Sequence, residues 1–270
     1  MRWGRKFKRF KRLFGIMIIL DRSLQHARFL LSRRKEKVFV VGLNKTGTTS
    51  VEDLLKAAGF RLADQRALEK LTGRWLNGDL SDQIFERRLK RKIRLYEGFQ
   101  DVPFSIPALV PFLWKNYPDA RFILTIRSSG EEWASSLEAE FQRWSGDLGR
   151  SPSWSELERA NYRVRGFPAL LLRKLGADPA EPIEFQSLAS IHDDYVKFVG
   201  LLTKLLGRRM LLVLDLKDPD CLAALEDFLG RPTGLSSMPH SNRRAARESE
   251  IERVASPELM TNEERSGGHR

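Results

Sequence analysis

One stretch constrains this chain more than any other. Lys37-Val-Phe-Val-Val-Gly-Leu43 runs directly into Asn44-Lys-Thr-Gly-Thr-Thr-Ser50. The first seven residues are a short, β-branched apolar run, the pattern of a strand buried on both faces. From Thr48 to Gly59 the apolar residues Val51, Leu54, Leu55 and Ala58 share one stripe and Gly59 supplies a stop, which predicts a helix. A strand, a glycine turn and a helix start in succession aim backbone N–H groups and the positive helix end at one point, where an anion is favoured. Thr48, Thr49 and Ser50 add hydroxyl donors there.

The rest of the chain repeats that alternation. Strands are expected at Tyr96–Val102, Arg121–Arg127 and Met210–Leu216. Helices are expected at Ser81–Arg94, Ile106–Asn116, Glu131–Trp144, Ser187–Leu206 and Asp218–Leu229, the last closed by Gly230. Alternating strands and helices predict an α/β fold, with a parallel sheet covered on both faces and ligands at the carboxyl ends of the strands. Residues 145–186 have no strong period and read as an irregular insertion or lid with short helices. The expected organisation is an arm over residues 1–36, one domain over 37–243 and a charged, mobile tail over 244–270.

Charge separates the arm from the body. The chain of 270 residues has 47 Lys/Arg and 35 Asp/Glu, a net +12. Residues 1–37 hold thirteen basic and two acidic residues; the remainder holds thirty-four and thirty-three. The body is therefore nearly neutral, and the high pI does not argue that it binds nucleic acid. In the arm Trp3, Phe7, Phe10, Phe14 and Met17 recur at helical spacing among seven cations. That pattern fits an amphipathic helix lying on an anionic membrane surface, pairing with a partner, or packing on the body. No apolar run approaches the ~20 residues that span a bilayer, and no small-x-small cleavage site follows Leu13–Leu20. A cytoplasmic protein, membrane-associated at most, is the expectation. One cysteine and four histidines argue against a disulfide framework and against a Cys- or His-built metal site.

The Gly42-x4-Gly47 spacing is near that of a nucleotide-binding P-loop, which needs Lys and then Ser/Thr after its second glycine. Here Thr48 stands in the lysine position and Lys45 lies two residues before Gly47. That shift argues against an ordinary ATPase or kinase. Lys-Thr-Gly-Thr-Thr after an apolar strand instead resembles the 5′-phosphosulfate loop of sulfotransferases that use 3′-phosphoadenosine 5′-phosphosulfate (PAPS). Arg121-Phe-Ile-Leu-Thr-Ile-Arg127, with Ser135 eight residues beyond Arg127, resembles the same family's 3′-phosphate segment. Met210–Leu216, a helix, Phe-Leu-Gly230 and Pro-His-Ser-Asn242 follow in an order similar to that of bacterial-type members. The resemblance implies a three-layer parallel sheet with P-loop-kinase-like topology, and transfer of the PAPS sulfuryl group to an acceptor hydroxyl or amine without a required metal.

It also implies roles for particular residues. Lys45 would stabilise charge on the oxygen bridging phosphorus and sulfur. Asn44, Thr46, Gly47, Thr48 and Thr49 would complete the 5′-phosphate loop. Arg127 and Ser135 would hold the 3′-phosphate, with Arg243 assisting. Gln100-Asp101-Val102-Pro103 stands where the cytosolic branch places a histidine, so Asp101 is the candidate base, provided burial raises its pKa. Asp101 could equally cap the turn that follows. His192 reads as a surface or packing residue rather than a catalytic one, and Asp215 as ordinary strand-end chemistry. The rivals are a small-molecule kinase using ATP and a non-catalytic nucleotide-dependent binding protein.

Overall fold

A computed structural model describes residues 36–144, 146, 149–179, 183–205 and 210–239. The expected helical arm, Arg243 and the tail from 244 lie outside these residues. Strand β1 (Val38–Val40) leads through the glycine loop to α1 (Thr48–Ala57). Helices α2 (Gln65–Leu76) and α3 (Asp82–Leu95) precede β2 (Gly98–Phe99). Then come α4 (Val110–Asn116), β3 (Arg121–Ile126) and α5 (Gly130–Trp144). The next segment holds α6 (Trp154–Arg159), a two-residue hairpin β4 (Asn161–Tyr162) and β5 (Val164–Arg165), and α7 (Phe167–Leu175). Helix α8 (Ala189–Leu205), β6 (Leu211–Asp215) and α9 (Cys221–Leu229) complete the described fold.

Among the described residues the main sheet has the order β2-β1-β3-β6 and every pairing in it is parallel. Alternation along the strands divides the core. Phe39, Phe122 and Leu124 face one side, where they pack with residues of α3, α4, α5, α7 and α8; Val38, Val40, Ile123 and Leu214 face the other, against α1 and α9. This is the three-layer α/β architecture anticipated from the strand–helix alternation. Aromatic stacking anchors the first side: Phe39 lies 4.9 Å from Phe99 and 5.6 Å from Phe122, centroid to centroid.

Two departures from the sequence reading matter for the site. Residues 65–76, left unassigned by pattern, form α2, started by Asp64, whose Oδ1 accepts from the Ala67 N–H at 3.3 Å. Its inward stripe carries Leu68 and the buried Glu69. The irregular insertion contains α6, the hairpin and α7, packed on α2 and on each other, and it delivers Tyr162 and Arg163 to the sheet's carboxyl end. The α6 start is a capping box in which Ser153 and Glu156 satisfy each other's backbone N–H groups.

Candidate active site

All four parallel strands end at one cavity of about 560 Å³. The loop after β1 supplies Asn44, Lys45, Gly47, Thr48 and Thr49; the loop after β2 supplies Gln100, Asp101 and Val102; Arg127 follows β3, and Leu216 and Lys217 follow β6. Helix α5 contributes Ser136, Glu140 and Trp144, three residues at spacing four and so on one face. Another part of the wall is Gln65, Arg66, Glu69, Tyr162, Arg163, Phe167 and Leu171.

The glycine loop is tightly buttressed. Thr46 Oγ1 donates to the Leu43 carbonyl at 2.6 Å and shares a 2.6 Å bond with Thr125 Oγ1. Trp133 Nε1 donates to the Asn44 carbonyl at 2.9 Å, and Tyr195 OH to the Val41 carbonyl at 2.6 Å. Gly42 is required by contact: a Cβ there would sit 1.9 Å from Thr125 Oγ1 and 2.6 Å from the Thr125 carbonyl. Gly47 is favoured by its φ of +96°, and a Cβ there would also displace the Leu216 side chain, whose Cδ1 lies 1.8 Å from the Cβ position. The Ser50 N–H is taken by the Gly47 carbonyl at 3.0 Å, which leaves the Thr48 and Thr49 N–H groups at the helix start as the anion donors.

Three non-glycine residues have positive φ among the described residues: Lys45 (+72°), Asp101 (+56°) and Arg163 (+59°). All three line this cavity. Each such backbone costs on the order of 1–3 kcal/mol, so strain gathered in one pocket marks it as a place where geometry matters more than stability.

Four cations of the cavity, Lys45, Arg127, Lys217 and Arg163, are paired with carboxylates. Lys45 Nζ lies 2.9 Å from Glu140 Oε2. Arg127 donates through Nε to the Lys45 carbonyl at 2.7 Å and pairs with Glu132 Oε1 at 3.1 Å. Lys217 Nζ takes the other Glu132 oxygen at 2.8 Å. Burial pushes the Glu132 carboxyl up, but Lys217 and Arg127 more than offset it and hold it below the ordinary carboxylate range. Glu69 is buried between Tyr162 OH at 3.2 Å and a close ion pair with Arg163 Nε.

Asp101 has the opposite character. Its pKa is pushed up to about 7, first by burial and then by the Glu69 charge; the bond from the Val102 N–H and the Lys45 charge only partly oppose this. Its Oδ1 accepts from Val102 N at 2.8 Å, and its carbonyl accepts from the Phe104 and Ser105 N–H groups. It therefore caps the turn and also presents a perturbed carboxyl to the cavity.

The structure brings Asn44, Lys45, Gly47, Thr48, Thr49, Asp101 and Arg127 together. Thr46 braces the loop from within rather than lining it, since its hydroxyl is spent on Leu43 and Thr125. Ser135 also lies off the cavity. It is one step around α5 from the face carrying 136, 140 and 144; its hydroxyl donates to the Glu131 carbonyl and accepts from Gln186 Nε2, both at 2.9 Å. Arg243 lies outside the described residues. Of the two places open to His192, surface or packing, it takes the buried one, and its Nε2 accepts the Arg127 N–H at 3.3 Å while Nδ1 lies 2.8 Å from Asp193. Asp215 caps its own strand end, receiving Lys217 N at 3.0 Å and Ser128 Oγ at 3.2 Å. Sequence reasoning missed Lys217, Glu132, Glu140, Glu69 and Arg163, because each acts through a partner distant in the chain. Among the described residues no group of three or more His, Cys, Asp and Glu side chains is placed to hold a metal ion.

A parallel sheet with a glycine loop at its carboxyl edge, facing a cavity lined by Lys45, Arg127 and Lys217, defines an α/β protein built to hold an anionic ligand over the start of a helix. Residues 37–247 match the family model described as a sulfotransferase domain, and the chain belongs to that family. It is accordingly a transferase of sulfuryl groups. No curated protein is similar enough to the chain to match it.

Proposed function

We propose that the enzyme takes its sulfuryl group from PAPS and transfers it to an acceptor hydroxyl or amine, with Lys45 and Asp101 as the reacting pair. The observation that carries this reading is the convergence of strained Lys45, Asp101 and Arg163 on one cavity, with a cation on the loop side and a carboxyl of pKa about 7 on the other. The donor set suits a doubly phosphorylated nucleotide. Lys45, Thr48 and Thr49 serve one phosphate at the helix start, and Arg127 and Lys217 supply charge for the second, the group that ATP lacks.

The acceptor stands between Asp101 and the sulfur. Its proton passes to the Asp101 carboxylate as its oxygen or nitrogen bonds to sulfur. The bond from sulfur to the bridging oxygen breaks in the same motion, and that oxygen leaves with the bisphosphate. Lys45 faces the charge gathering on it, a preorganised contact that strengthens in the transition state. A carboxyl titrating near neutrality suits the task, since it is ionised enough to accept a proton yet basic enough to draw one. The remainder of the catalysis is positioning.

Titration with 3′,5′-bisphosphoadenosine and with ATP, each with and without EDTA, tests the reading. Tighter binding of the bisphosphate, unchanged by EDTA, is expected. Preference for ATP, or binding abolished by EDTA, would return the case to a kinase.

A further inference from the structure

His192 does not line the cavity, yet it is tied to the backbone of a residue that does. Helices α5 and α8 meet at Gly130 with no side chain between them: a Cβ there would come within 2.3 Å of the Ala189 carbonyl oxygen. Ala189 opens α8, and His192, three residues on, shares its side of the helix. The close approach therefore brings the His192 ring to the loop that follows β3. There Nε2 lies 3.3 Å from the Arg127 backbone nitrogen, and Nδ1 lies 2.8 Å from Asp193 Oδ1. His192 is only 3% exposed, and its ring stacks on Trp133 at 6.0 Å between centroids.

These contacts fix the tautomer. A backbone N–H can only donate, so Nε2 must be the bare nitrogen that accepts. The ring proton is then on Nδ1, and Asp193 receives it. Asp193 is half exposed, so the chain of contacts runs from solvent through a buried ring to one backbone amide.

That amide belongs to the residue whose guanidinium faces the cavity. Arg127 Nε donates to the Lys45 carbonyl at 2.7 Å, and a terminal nitrogen meets Glu132 at 3.1 Å. Trp133, the ring against His192, donates through Nε1 to the Asn44 carbonyl at 2.9 Å. Two stacked rings, one on α5 and one on α8, thus brace both the phosphate loop and the start of the Arg127 side chain. An arriving anion competes with Glu132 for the guanidinium but not with His192 for the amide. The His192 contact therefore persists in the loaded site and sets the point from which the guanidinium reaches.

We infer that His192 is a positioning residue for the donor nucleotide. Acting through the Arg127 backbone, with Asp193 fixing its tautomer, it sets discrimination for a second phosphate. The inference rests on the proposed assignment of Arg127 to that phosphate.

The test compares affinities of the full chain for 3′,5′-bisphosphoadenosine and 5′-AMP. The wild type should favour the bisphosphate. His192→Leu fills the space but accepts nothing, and should lower that preference roughly three- to ten-fold, chiefly by weakening the bisphosphate. His192→Gln carries an acceptor oxygen at similar reach and should restore most of it. In an Arg127→Ala background His192→Leu should change the preference no further, whereas a merely structural role would weaken both nucleotides alike in either background. Should the leucine variant misfold, Asp193→Ala alters a half-exposed residue and should lower the preference about two-fold by releasing the tautomer. Long-range proton–nitrogen NMR of the wild type reads the tautomer directly. One of the chain's four histidines should carry its proton on Nδ1, and that signal should vanish in His192→Gln. An unchanged preference in folded His192→Leu, or a His192 proton on Nε2, overturns the role. Equal affinity of the wild type for the two nucleotides would defeat the PAPS reading itself and this role with it, so the two failures are told apart.

Discussion

Replacing Asp101 by Asn separates the stability of the fold from the chemistry of the site. The Asp101 carboxyl is moved from 3.8 to about 7, chiefly by burial and then by Glu69. At 1.36 kcal/mol per unit, the displacement sets a ceiling of about 4 kcal/mol on the cost of ionising it in the folded state. Its sign follows from proton uptake. Between 3.8 and about 7 the folded carboxyl holds its proton and the unfolded one does not, so folding stability falls as pH rises through that window and levels off above it. Asparagine cannot ionise, yet its side-chain oxygen can keep the 2.8 Å bond from Val102 N. Asp101→Asn should therefore gain on the wild type as pH rises from about 5 to about 8. Allowing for solvent in the cavity, the gain should reach ~1–3 kcal/mol, which for a protein of this size is a melting-temperature rise of ~2–4 °C per kcal/mol. Thermal or urea unfolding across that range measures it. The same substitution should lower turnover by about 10²–10⁴, whereas wild-type turnover climbs with pH toward a plateau above about 7. A stability difference that stays flat or shrinks with pH would refute the strained-charge argument. Near wild-type turnover would leave Asp101 as a cap only.

Lys45→Ala should reduce turnover by about 10²–10³ while bisphosphate binding, measured by titration, falls far less, because on the proposed reading the lysine's main contribution is to the leaving oxygen. Arg127→Ala should weaken 3′,5′-bisphosphoadenosine by roughly ten- to a hundred-fold and 5′-AMP much less, so competition between the two reads the second phosphate directly. Gly130→Ala puts a methyl 2.3 Å from the Ala189 carbonyl oxygen, where α5 meets the start of α8; neither backbone can yield easily, and a loss of ~1–3 kcal/mol in urea unfolding is expected.

The parts of the molecule legible in its sequence are those built from local pattern. The β1 run, the Gly47 turn and the α1 stripe form one continuous signal; β3 stands out because a strand buried on both faces is apolar throughout, and the edge strand β6 because its run is apolar even though Val213 is half exposed. Helix α2 was missed because its apolar stripe is diluted by charge, although Asp64 stood ready as its cap. The site divides in the same way. Lys45 and Arg127 announce themselves by position after a strand, whereas Glu140, Glu132 and Glu69 are ordinary surface-like glutamates in sequence. They become part of the site only because the topology sets α2 and α5 beside the strand ends. Ser135 shows the limit of spacing arguments: it stands eight residues beyond Arg127, but helical phase turns Ser136 rather than Ser135 to the cavity.

The pairing of Lys45, Arg127 and Lys217 with carboxylates bears on selectivity. Glu132 shares its two oxygens between Arg127 and Lys217, both partly exposed, and such pairs contribute only about 0–1 kcal/mol each. That suffices to hold two long side chains near their working positions without making them hard to recruit. On the proposed reading, a phosphate of charge close to −2 offers each cation more than Glu132 does, so it can draw them away. A nucleotide with a hydroxyl at the same position cannot, because it would leave Glu132 in place and gain little. Lys45 and Glu140 repeat the arrangement at the other end of the cavity, at 2.9 Å and with both side chains less than a fifth exposed. On the same proposed reading the competing charge there is the one that develops on the leaving oxygen during transfer, so the lysine is held in reserve until the step that needs it.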